Sequence, residues 1–144
     1  MNIKIRKMTV SDLGSMYNLL SNSEVMHYLE TPYTKDQTEQ FLLRADLSKT
    51  PLIYPVEKDE DFIGYVIYHD YDSESVEIRW VLEPDFWGKG IASYLTSRMI
   101  EKARNAGKQV VIECLPEQTS SVRIAEKYGF QNCGMIDGLM IYRL

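Results

Sequence analysis

Residues Phe86, Trp87, Gly88, Lys89, Gly90, Ile91 and Ala92 place two glycines and a lysine between a strand-like and a helix-like segment. A helix start leaves backbone N–H groups unpaired and carries partial positive charge. Small residues at that point let a phosphate approach the main chain closely. Lys89 adds a full positive charge to a chain whose formal net charge is −5. The combination suits a pyrophosphate cradle, although a plain glycine turn joining strand to helix has the same composition. The spacing is neither that of a phosphate-binding P-loop nor that of the Gly-x-Gly-x-x-Gly dinucleotide fingerprint.

The elements that must position this loop follow from periodicity. Upstream, Val76, Ile78, Trp80 and Leu82 share one face of a strand, and Glu77, Arg79 and Val81 share the other. Downstream, Ile91, Leu95, Met99 and Ala103 recur at helical spacing until Gly107 stops the helix. Residues 109–114 read as a buried strand, and a short helix over roughly 119–128 ends at Gly129. Two last strands flank Asp137-Gly138, a strong hairpin signal. In the N-terminal half, residues 2–8 read as a strand. Thr9 with Asp12 forms a capping box before Leu13, Met16, Tyr17 and Leu20. A second box, Thr34 with Gln37, opens a helix carrying Phe41 and Leu42. Strands are expected near 51–57, 62–70 and 75–82. The order β–α–α–β–β–β–α–β–α–β–β predicts an α/β (α+β) fold of about seven strands and four helices.

The chain has 144 residues, which predicts a single domain spanning 1–144. Hydrophobic residues at 44% and charged residues at 26% fit a globular protein and exclude intrinsic disorder. The acidic balance argues against general nucleic-acid binding or attachment to an anionic membrane. No apolar run approaches the roughly 18–20 residues of a membrane span, and the N-terminus lacks the apolar core of a signal peptide. Cys114 and Cys133 have no metal-like spacing, and His27 and His69 lie in segments without a partner pattern. No metal is expected, and a reducing cytoplasmic setting is the default. Cys114 reads as structural, Glu113 as a hydrogen-bonded strand end, and the tyrosines at 28, 33, 65, 68 and 71 mostly as half-buried sheet residues.

The stretch EIRWVLEPDFWGKGIASYL, followed by PEQTSSVRIAEKYGF, resembles the GNAT superfamily of acyl-CoA-dependent N-acyltransferases. It is most similar to the branch that includes ribosomal-protein N-terminal acetyltransferases. The element order matches over essentially the whole chain, and the motifs match over about residues 76–134. Trp87, Gly90 and Ala92 stand in the family's first signature, with Trp87 replacing the usual Arg or Gln. In the second, Gln118 replaces an Asn, while Ser121, Gly129 and Phe130 fit. The resemblance implies a mixed, mostly antiparallel, splayed sheet. It implies acetyl-CoA as the acyl donor, an amine as its acceptor, and a monomer or homodimer. Backbone groups of Val81 and Leu82 would hold the pantetheine arm. The N–H groups of Trp87, Gly88, Lys89, Gly90, Ile91 and Ala92 would hold the pyrophosphate. Gln118 and Ser121 would border the arm and its thiol end.

Acyl transfer to an amine needs a neutral amine, a polarised carbonyl and a proton for the leaving thiolate. Glu77 matches the glutamate that serves as base, often through water, in several family members; its plainer reading is a surface carboxylate paired with Arg79 or with a neighbouring strand. A backbone N–H near Val81 would polarise the carbonyl. The family's acid is a Tyr four residues before the Gly-Phe pair, where this chain has Ala125. Ser121, which matches a serine proposed as acid in the ribosomal branch, and Tyr128 are the remaining candidates. Their plainer readings are a capping serine and a core tyrosine. The main alternative to an active enzyme is a catalytically weak acyl-CoA-binding or regulatory module. A second alternative is an unrelated α/β interaction domain.

Overall fold

The computed structural model describes residues 2–46 and 52–144. Its elements are β1 (Ile3–Ile5), a 3-10 turn (Val10–Asp12), α1 (Leu13–Leu20), α2 (Lys35–Asp46), β2 (Ile53–Lys58), β3 (Asp61–Asp70) and β4 (Ser75–Leu82). A second 3-10 turn (Pro84–Phe86) then leads to α3 (Ile91–Asn105), β5 (Gln109–Cys114), α4 (Thr119–Lys127), β6 (Gln131–Ile136) and β7 (Leu139–Arg143). The strands form one mixed sheet in the order β1-β2-β3-β4-β5-β7-β6. Pairings β1–β2, β2–β3, β5–β7 and β6–β7 are antiparallel, and β4–β5 is parallel. The parallel register runs only from Ser75↔Gln109 to Glu77↔Val111, although β4 continues to Leu82 and β5 to Cys114.

The expected order of elements is therefore present, with seven strands and four α-helices among the described residues. The first strand, Ile3–Ile5, is shorter than the expected 2–8, although the N–H of Arg6 still donates to the Pro55 carbonyl at 3.0 Å. The Arg6 guanidinium reaches Asp12 at 2.7 Å and Glu57 at 2.6 Å. The expected start of the second strand at residue 51 lies outside the described residues.

Two compact units divide the chain. The first comprises Met1–Ile67 and Trp80–Ala92; the second comprises Tyr68–Arg79 and Ser93–Leu144. In the first, Met16, Leu19, Leu20, Met26, Ile53, Tyr65 and Val81 belong to one apolar core. Both of its helices start as the sequence predicts. Asp12 accepts from the Thr9 N–H at 2.8 Å. Thr34 and Gln37 cap each other at 2.9 and 3.1 Å. In the second unit, Val76 and Ile78 of β4, Leu95 and Met99 of α3, and Val110 and Ile112 of β5 are buried. Gly107 (φ 68°) and Gly129 (φ 84°) end α3 and α4 in the left-handed conformation that glycine adopts most cheaply.

Burial pushes the Asp12 carboxyl up, but the Arg6 guanidinium and the Thr9 N–H outweigh it and hold it below its ordinary value. A depressed carboxyl contributes stability above the unfolded value and loses it as pH falls through the folded one. Asp12→Asn should thus lower stability by roughly 1–3 kcal/mol near neutral pH, the worth of a charged hydrogen bond. The deficit should shrink as pH falls below about 4. Melting curves of both proteins across that range check it.

Candidate active site

In the first unit, β4 ends at Leu82 and the 3-10 turn closes with Phe86 N–H donating to Glu83 O at 2.9 Å and Trp87 N–H to Pro84 O at 3.1 Å. The Trp87 indole Nε1 donates to Leu82 O at 2.9 Å. Trp87 thus holds the loop against the strand end, and its own N–H is already engaged. Beyond it, the N–H groups of Gly88, Lys89, Gly90 and Ile91 make no backbone hydrogen bond to another described residue. Gly88 and Gly90 have φ of 70° and 79°, a region that costs a residue with Cβ about 1–2 kcal/mol. A Cβ on either would meet nothing within 4 Å. Conformation rather than crowding therefore calls for glycine, and the space beside both is open to a ligand. Lys89 Nζ lies 5.7 Å from the Phe86 ring centre, so the cation stays beside the loop.

Gly64 of β3 escapes any reading by sequence alone. A Cβ there would stand 2.1 Å from the Val81 carbonyl oxygen and 2.9 Å from Leu82 Cα. Only glycine lets β3 pass this close to the main chain of Val81 and Leu82 in β4.

In the second unit, Glu77 occupies the last rung of the parallel β4–β5 register, opposite Val111. It is 8% exposed, so it is not the surface carboxylate of the plainer reading. An imidazole and a guanidinium face it: His69 Nε2 at 3.5 Å and Arg79 Nη2 at 3.8 Å from Oε2. Both distances exceed the ~2.7–2.9 Å of a charge-assisted hydrogen bond, leaving the carboxylate lone pairs for another donor. His69 thus has the partner that its sequence context does not reveal. Beside this group, burial and the Glu113 carboxylate push the Tyr71 phenol up, Glu77 adds to the effect, and Arg143 opposes it. Of the five tyrosines named from sequence, Tyr71 is the one held between these charges. Tyr65 is core, Tyr68 lies under the Lys102 ammonium, Tyr33 bonds Glu30, and Tyr28 is exposed. Burial pushes the Cys114 thiol up, against a smaller opposing effect of Arg79, which disfavours the nucleophilic thiolate.

Gln118 is the N-cap of α4, and its Oε1 accepts from the Leu115 N–H at 2.8 Å. Ser121 is the third residue of that helix and half-buried, so it is not the N-cap. Tyr128 is not a core residue. Its hydroxyl donates to the Ser93 carbonyl at 2.9 Å and lies 2.9 Å from Ser93 Oγ, which also accepts from Lys127 Nζ at 2.7 Å. Ala125, at the family's acid position, is fully buried. Among the described residues no group of His, Cys, Asp and Glu could hold a metal ion, and no helix is long and apolar enough to cross a membrane.

Comparison with known proteins gives a consistent picture. The profile of the acetyltransferase (GNAT) domain matches residues 2–131. The uncharacterized N-acetyltransferase YnaD of Bacillus subtilis is 30% identical over 139 residues, covering 90% of this chain and 79% of its own. Among solved structures, a GNAT-family acetyltransferase from Bacillus anthracis superposes with a TM-score of 0.88 at 24% identity, over 100% of this chain and 95% of its own. A spermidine N-acetyltransferase from Vibrio cholerae, solved with CoA and spermine, gives 0.81 at 24% identity over 99% and 93%.

Proposed function

Because the chain belongs to the GNAT acetyltransferase family, we propose that it moves an acetyl group from acetyl-CoA to a primary amine by direct attack in a ternary complex, with residues 1–144 working as one catalytic domain. The observation that carries this reading is the run of N–H groups from Gly88 to Ile91 that make no backbone hydrogen bond to another described residue, leading into α3 beside two left-handed glycines. Those donors, the start of the helix and Lys89 fit a pyrophosphate in charge and in space. Main-chain groups of Val81 and Leu82 hold the pantetheine arm, within the limit that the Trp87 indole occupies one lone pair of the Leu82 carbonyl. Gln118 and Ser121 border its thiol end, Gln118 with one oxygen already committed to Leu115. Ala92, in the first turn of α3, completes the loop.

When bound, acetyl-CoA supplies an activated acyl carbonyl. Glu77 takes the proton of the acceptor ammonium, directly or through one water. The Val81 N–H stabilises charge on the carbonyl oxygen, a role that asks nothing of its side chain. The departing thiolate takes its proton from Ser121, from Tyr128 or from solvent. Tyr128 already donates to the Ser93 carbonyl, which favours Ser121 between the two. Ser121→Ala should then lower kcat roughly ten- to a thousandfold with CoA affinity nearly unchanged. Tyr128→Phe should chiefly cost about 1 kcal/mol of stability through its lost hydrogen bond. If both variants keep more than about half of the wild-type rate, as solvent protonation would allow, neither hydroxyl is the acid.

The acceptor decides the biology. The protein is to be tested with acetyl-CoA and longer acyl-CoAs against polyamines, aminoglycosides, amino acids and peptides with free N-termini. The resemblance to the ribosomal branch is the reason for including the peptides. Initial velocities at several fixed acetyl-CoA concentrations should give intersecting lines. Parallel lines would mean an acyl-enzyme and would overturn direct transfer. Saturable acyl-CoA binding without turnover on any amine would favour the regulatory-module alternative.

A further inference from the structure

A carboxylate alone is a poor final resting place for an ammonium proton. Taking the ordinary values of about 10.4 for a lysine amine and about 4.3 for Glu, the transfer runs about six pH units uphill. To an ordinary imidazole at about 6.5 it runs about four, a difference on the order of a hundredfold. General bases also work best when matched to the operating pH, which imidazole is and carboxylate is not. The fold brings an imidazole to this carboxylate: His69 Nε2 lies 3.5 Å from Glu77 Oε2. The His69 side chain is 32% exposed and that of Glu77 only 10%, so the imidazole reaches both the shielded carboxylate and solvent.

We propose that Glu77 and His69 act as one base, with the proton drawn from the acceptor coming to rest on His69. The inference rests on the reading of Glu77 given above. The acceptor N–H bond breaks as an O–H bond forms on Glu77. The same proton then passes to His69 Nε2, directly or across one water, leaving a carboxylate beside an imidazolium. The imidazolium returns its extra proton to bulk water, and both groups are restored. His69 works through Glu77 without touching the acceptor, so it is a positioning residue that holds a proton. The other groups around the pair are Arg79 on β4, Tyr71 beyond the end of β3, Glu113 on β5 and Arg143 over the Tyr71 ring. Arg143 is also paired with Asp72 at 3.4 Å. The Arg79 guanidinium, 3.8 Å from Glu77 Oε2, stands on the same carboxylate oxygen that faces His69.

The test compares wild type, His69→Gln, Glu77→Gln and the double variant, using acetyl-CoA and the fastest amine of the panel above. If the proton comes to rest on an imidazole, kcat/KM of the wild type should fall on the acid side of neutrality, where an imidazole side chain is charged. His69→Gln should lower kcat/KM on the order of ten- to a hundredfold near pH 7 and abolish that limb. It should cost little more in the Glu77→Gln background. Imidazole added to a His69→Gly protein should restore part of the rate. Melting temperatures give an arm free of activity: the two substitutions should be non-additive near pH 5.5, where imidazole is charged, and additive near pH 8.5. A His69→Gln enzyme within about twofold of wild type overturns the proposal. So does a lower rate with an unchanged pH profile and no imidazole rescue, or additivity at both pH values. If Glu77→Gln is itself silent, the assignment of Glu77 as base falls as well. If Glu77→Gln is crippled and His69→Gln silent, only the role of His69 falls.

Discussion

Glu77→Gln should lower kcat/KM by 10²–10⁴-fold, roughly 3–5 kcal/mol of transition-state stabilisation. Glutamine keeps the shape of the side chain and removes its ability to take a proton. The fold should survive, since the partners of Glu77 are His69 and Arg79, each about a third exposed and able to turn to water. The deficit should be greatest near neutral pH and shrink as rising pH deprotonates the free amine without help. CoA binding should be unchanged, because Glu77 is not among the groups assigned to the phosphates. The check is a pH–rate profile of both proteins over about pH 6–9, a span that brackets neutrality. A variant equal to wild type throughout would make Glu77 a strand carboxylate and nothing more.

Gly90→Glu should abolish the thermal stabilisation that CoA confers. In the wild type, CoA at a hundred times its Kd adds about 2.7 kcal/mol to stability by mass action. For a chain near 150 residues each kcal/mol is worth roughly 2–4 °C, so the shift should be about 5–10 °C. The substitution acts twice. A side chain at φ 79° strains the loop, and a carboxylate enters the space a phosphate would need. Like charges brought together cost several kcal/mol, on the order of a hundredfold or more in affinity. Gly90→Ala separates the two effects. It carries the strain without the charge, so it should lower the melting temperature of the free protein yet keep much of the CoA shift. A folded Gly90→Glu protein that binds CoA as wild type does would end the cradle assignment.

What the sequence makes legible here is local. Thr9 with Asp12, Thr34 with Gln37, and Asp137-Gly138 each act within a few residues, and each does what its chemistry predicts. The same holds for Gly88 and Gly90, whose left-handed φ values follow from a strand having to turn into a helix. Features that depend on distant neighbours are not legible. The Arg6 guanidinium pairs with Glu57, 51 residues away. His69 has no partner pattern in its own segment because Glu77 reaches it only through the adjacency of β3 and β4. Tyr128 reads as core in the sequence because its partner, Ser93, is 35 residues upstream in another helix. Alternation correctly put Glu77 off the Val76–Ile78 face, but it cannot tell a solvent face from a second buried one. The strand is in fact covered on both sides at that point. Gly64 carried no local sign, since its need arises from the Val81 carbonyl across the sheet.

The most direct measurement is the release of free CoA thiol from acetyl-CoA, followed with and without amine and paired with mass detection of the acetylated amine. Acetyl-CoA-dependent transfer predicts release that requires an amine, saturates in both substrates, matches the acetylated product one for one, and disappears in Gly90→Glu. Acetyl-CoA bound by the wild type with no amine-dependent release across the whole panel would contradict it.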